Sequence, residues 1–195
     1  MDGVDKKKKN TGKNVLVFIL IVIIAISGYF FLGNISDSTK NTAATETETT
    51  RLIEKDLSAT YPATPREVVK LYSRYSKCLY SGDVNDKEIE QLVNQVRLMY
   101  DKELLEHNPL EDYVFELKLD IAEYQSLERK ITSYKVDSSN NIVTWTEDGV
   151  DYARMIASYT TKEGSSYFKT QEEFILRKDE NSKWKILGFR ELAVD

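Results

Sequence analysis

Residues 150–177 read VDYARMIASYTTKEGSSYFKTQEEFILR, and this stretch decides the fold class. Two long strands, Val150 to Thr161 and Ser165 to Arg177, flank the corner Lys162-Glu163-Gly164, and a Gly-containing corner between such runs is a hairpin signal. Working back from them, Glu147-Asp148-Gly149 turns the chain out of a strand at Ile142 to Thr146. Ser138-Ser139-Asn140-Asn141 turns it out of another at Ile131 to Asp137. Working forward, Asp179-Glu180-Asn181-Ser182 leads into a last strand, Lys183 to Leu192. Strands joined in sequence by short turns predict an antiparallel meander.

Before Ile131 the period is helical. Thr64-Pro65-Arg66-Glu67 is a helix start: Thr64 caps, Pro65 suits the first turn and Glu67 completes a capping box. The helix places Val68, Leu71, Tyr72, Tyr75, Cys78 and Leu79 on one face and ends near Gly82. A second helix begins after Asn85 or Asp86, carries Ile89, Leu92, Val93, Val96, Met99 and Tyr100, and extends towards Leu104 and Leu105. Asn108-Pro109-Leu110-Glu111 repeats the start signal for a third, which buries Leu110, Val114, Leu117, Ile121 and Tyr124 and runs to about Arg129. Three helices followed by a meander predict an α+β domain over residues 61–195, not βαβ repeats.

Ahead of that domain, Val15 to Leu32 reads VLVFILIVIIAISGYFFL and holds no charge. As a helix it spans ~27 Å, close to the ~30 Å hydrocarbon core of a bilayer. Lys6 to Lys9 and Lys13 precede it, and positive charge stays on the cytoplasmic side, so residues 1–14 form an inner tail and the rest lies outside. A cleaved signal peptide fits less well. The run exceeds the 7–15 apolar residues of such a segment, and no small-x-small site follows it. Residues 33–60 are rich in Thr, Ser, Asn and Glu, without an apolar period, and read as a flexible linker with room for a short helical turn around Leu52-Ile53. The expected protein is thus a single-pass membrane protein, a signal-anchored chain with its C-terminal domain extracellular.

Charge and residue usage exclude several function classes. Residues 1–32 carry five lysines and two aspartates, which leaves 22 basic and 30 acidic residues for the remainder. An acidic outer domain lacks the basic footprint that nucleic-acid binding needs. The single cysteine, Cys78, forms no intramolecular disulfide and sits on a helical apolar stripe as a small buried hydrophobe. One histidine and one cysteine do not build the usual zinc set, no calcium-loop spacing appears and the 8 glycines form no phosphate loop. No cofactor is expected. His107, before Asn108-Pro109, reads as a surface cap or loop residue, and no catalytic residue stands out.

The order of elements and the closing Trp184-Lys185-Ile186-Leu187-Gly188-Phe189 resemble the nuclear transport factor 2-like superfamily, the cone fold shared by ketosteroid isomerase and SnoaL-like proteins. The resemblance covers Tyr61 to Ala193 and implies three helices packed on a curved antiparallel sheet with a pocket between them. Versions anchored in this way are common in Gram-positive bacteria, and a similar plan occurs in scaffold subunits of conjugation and secretion assemblies. Enzymes of the superfamily use buried acids and tyrosines in the pocket, so the resemblance implies Tyr72, Tyr75, Tyr100, Tyr124, Tyr134 and Trp145 as candidates to line a ligand site. Tyrosines at helical spacing are, by the plainer reading, core walls with a wet hydroxyl. No Asp–Tyr pair matches the isomerase pattern. The expectation is a membrane-tethered, non-catalytic binding or scaffold module with a protein partner or a second copy. The alternatives are a small-ligand binder, or an acid–base enzyme of isomerase or dehydratase type, using the pocket, and a subunit of a conjugation or secretion assembly.

Overall fold

The structure, a computed structural model, describes residues 47–193. The expected inner tail, transmembrane helix and first part of the linker lie outside the described residues. Among those described, no helix is long and apolar enough to cross a membrane.

The described residues form an α+β unit with five helices, not three: α1 (Glu48–Ile53), α2 (Pro65–Leu79), α3 (Asp86–Arg97), α4 (Lys102–Glu106) and α5 (Leu110–Ser126). Five strands follow: β1 (Arg129–Val136), β2 (Val143–Glu147), β3 (Val150–Glu163), β4 (Ser166–Lys178) and β5 (Trp184–Leu192). The helix starts obey local chemistry. Thr64 accepts from the Glu67 N–H while Glu67 reaches back to the Thr64 N–H, and Asn85 and Glu88 make the same reciprocal box on α3. α5 starts otherwise: Pro109 occupies the cap position, and the Asn108 side chain turns back to the Leu104 carbonyl at 2.8 Å.

Two expectations need correction. The linker does not run to residue 60, because α1 belongs to the folded domain. Thr47 caps it, Leu52 is 0% exposed, and Leu57 is buried in the same core. The Gln95 side chain donates to the Ile53 carbonyl at 2.8 Å, and Arg74 pairs with Glu48. Second, the helix that starts at Asp86 stops at Arg97 and does not continue to Leu105. After a turn, Tyr100 makes a single parallel bridge to Ile186 of β5: the Asp101 N–H donates to the Ile186 carbonyl and the Ile186 N–H to the Met99 carbonyl, both at 2.8 Å. These bonds occupy the outer edge of β5 at Ile186. Asp101 then caps α4, accepting from the Glu103 N–H at 3.0 Å.

The sheet is antiparallel in the order β1-β3-β4-β5, and β2 pairs with the opening residues of β3, beyond the reach of β1. Alternation along β3 turns Ala153, Met155, Ala157, Tyr159 and Thr161 inward, and these pack against α2 and its neighbours. Phe174 and Leu176 of β4 and Ile186 and Phe189 of β5 complete that wall. Cys78 is buried, with its thiol 3.3 Å from the Thr49 hydroxyl and burial pushing its pKa up.

Candidate functional site

The inward row of β4 contains an acid. Glu172 shares the parity of Phe174 and Leu176, sits across from Ala157 on β3, and faces Glu191 on β5. Among the described residues no lysine or arginine pairs with it, and its Oε2 atom is enclosed without a hydrogen-bond partner. Burial pushes its pKa up from 4.5 to about 7, with a further push from Glu191. Tyr159 stands beside the carboxyl as its hydrogen-bond partner and opposes that rise.

The Ser73 hydroxyl donates to the Val69 carbonyl at 2.8 Å and lies 3.0 Å from the Tyr159 hydroxyl.

Further tyrosines surround this chain of hydroxyls. The hydroxyls of Tyr100 and Tyr113 lie 3.0 Å apart, and Tyr72 reaches Tyr100. The Tyr72 ring meets Phe174 at 5.1 Å and Phe189 at 5.3 Å, so these rings touch one another. From α5, Asp120 accepts from the Tyr80 hydroxyl, and burial raises the Asp120 pKa. Arg97 over Tyr113 and Arg129 over Tyr124, at 5.9 and 6.0 Å, are cations at the borders of the cluster.

Of the six pocket candidates, Tyr72, Tyr100 and Tyr124 join this cluster. Three do not. Tyr75 is buried but donates to the Leu52 carbonyl at 2.8 Å, because α1 packs on that side. Tyr134 lines an outer hollow of about 340 Å³ with Arg66 and Lys70. Trp145 lies on the exposed strand β2, stacked on Tyr152 at 5.3 Å. Sequence reasoning missed Glu172, Tyr159, Ser73, Tyr80, Tyr113 and Asp120. The period-2 alternation in β3 and β4 carried the signal for the first two.

Chemically, Glu172 is half-buried and able to exchange a proton near neutral pH, and aromatic side chains occupy the space on its inner side. Tyr72, Tyr100, Tyr159, Phe174 and Phe189 are all buried there. Two open hollows lie elsewhere, one beside Tyr134 and one between Gly82, Arg129 and Lys162. Among the described residues no three His, Cys, Asp or Glu side chains converge to hold a metal ion. His107 caps the end of α4, its Nδ1 2.8 Å from the Glu103 carbonyl.

The outer side of α5 contrasts with the closed interior. Phe115 is 61% and Leu119 47% exposed, and Leu110 and Leu127 stand out at the two ends. Val114, Leu117 and Ile121 face the core, so the helix is apolar on both sides.

A family model described as a domain of unknown function, DUF6715, matches residues 4–189, and the chain belongs to that family. No curated protein matches it.

Proposed function

We propose that this member of the DUF6715 family is a membrane-tethered, extracytoplasmic binding or scaffold module that works through its surface. One observation carries the reading: aromatic rings close the interior, while α5 presents Phe115 and Leu119 outward. Exposed apolar side chains gathered on one element mark interaction surfaces more often than accidents of packing. The apolar run at residues 15–32 behind its lysines supports the membrane attachment, and the family match takes in both that run and the domain. The order of helices and then meander supports a nuclear transport factor 2-like fold.

Labelling tests the topology. A cysteine introduced at Ser139, in an exposed turn, reacts with a membrane-impermeant maleimide on intact cells, whereas buried Cys78 does not. Reaction only after lysis overturns the outward placement. Photo-crosslinkers placed over the surface of the full chain in its membrane test the module, and no crosslink at any position sinks it.

A second reading, a small-ligand binder or acid–base enzyme, draws on Glu172 facing Tyr159. It requires the rings to part. A metabolite that stabilises wild type but not E172Q in thermal unfolding supports it, and equal response of both variants counts against it.

A further inference from the structure

We infer that the outer face of α5 is a docking surface for a partner helix with an apolar stripe flanked by lysines or arginines. This rests on the binding-module reading and names the partner's chemistry.

The stripe follows from spacing. Phe115, Leu119 and Ala122 recur at i, i+4 and i+7 and are all exposed, so they form one ridge along the helix. The charge beside the ridge has one sign. α5 contains five acids and one lysine. Lys118, that lysine, is already held by Glu90 at 2.8 Å and Asp86 at 3.4 Å, both on α3. Glu111, Asp112, Glu116 and Glu123 are exposed along the ridge, and among the described residues none of them forms an ion pair.

That sign selects the occupant. A second copy laid face to face brings acids against acids, which costs at short range. An anionic lipid surface is repelled for the same reason. A helix with apolar anchors and basic flanks meets both features: its anchors cover Phe115 and Leu119, and its cations reach the acids. Helix-on-helix docking of this kind is read through anchors at i, i+3, i+4 and i+7.

The test uses the full chain in lipid nanodiscs and two synthetic amphipathic peptides. They share one leucine stripe and differ only in lysine or glutamate flanks. The lysine peptide binds at least about ten-fold tighter at low salt, F115E lowers its affinity by about ten-fold, and W145E, on the exposed strand β2, leaves it unchanged. E116K/E123K reverses the preference between the peptides. Circular dichroism checks that each variant keeps its fold. Equal binding of both peptides, no binding, or binding indifferent to F115E overturns the proposal. So does a photo-crosslinker at position 115 that captures a second copy or residues 1–46 of the same chain. A crosslinker at Trp145 or Tyr134 that captures a partner when position 115 captures none removes this docking site but leaves the module reading standing. Silence at all three positions removes this docking site, and silence at every surface position removes the module reading as well.

Discussion

Ionising Glu172 puts a charge where no cation waits for it. Its pKa is raised from 4.5 to about 7, so over that interval the folded chain keeps a proton that the unfolded chain releases. Stability is therefore greatest below about pH 4.5 as far as this group is concerned, and it falls as pH rises through 7. The full swing corresponds to about 3 kcal/mol. Asp120 adds to the same trend, because burial raises it too. Urea unfolding between pH 5 and pH 8 checks this. Wild type loses stability across the range, and E172Q loses markedly less. An equal slope in both proteins removes Glu172 as the cause. Asp101 is the opposite case, a buried acid with its cation in place. It is 4% exposed, and Arg177 grips it through Nε at 3.0 Å and Nη2 at 2.5 Å. D101A is expected to cost about 1.5–3 kcal/mol, because it removes two charge-assisted bonds from Arg177, which keeps Glu103 at 3.3 Å, and uncaps α4 together. Chemical denaturation measures that loss, and a change below 1 kcal/mol would show the pair to be replaceable by water.

Among the elements, the strands were the most legible. The strand expected at Val150 to Thr161 is observed at Val150–Glu163, and the one expected at Ser165 to Arg177 at Ser166–Lys178, because Gly-bearing corners fix hairpins locally. α1 was legible only as a short turn within the linker. Six residues with two apolar side chains have no period to detect, and a helix so short owes its stability to tertiary packing. The break after Arg97 escaped for a related reason: its cause, the backbone pairing of residues 99–101 with β5, lies far away in sequence. The tyrosine wall was half legible. Helical spacing placed Tyr72, Tyr100 and Tyr124, whereas Glu172 needed strand parity, which one residue of slip inverts. If α1 is part of the domain, L52A costs about 2–5 kcal/mol in the two-state unfolding of the full chain, the usual range for opening a cavity in a core. A change near zero would return residues 48–57 to the linker.

At the scale of the whole molecule, one helix carries exposed acids and exposed apolar side chains together on its outer side, and its inner side shares the core with the sheet. Changes on the outer side should therefore leave the fold alone: F115E is expected to shift stability by less than about 0.5 kcal/mol, read by thermal unfolding. A loss of several kcal/mol would mean that Phe115 is packed and not exposed. The docking of α1 has a mechanical consequence. The described chain enters the domain through a helix pinned by Leu52 in the core, by Gln95 on the Ile53 carbonyl and by Arg74 on Glu48. Any tension transmitted along the chain from residues before Thr47 arrives first at those few contacts, and only after they yield does it reach the long β3–β4 ladder. α1 is thus placed to act as a fuse, peeling under load while the sheet behind it keeps its shape.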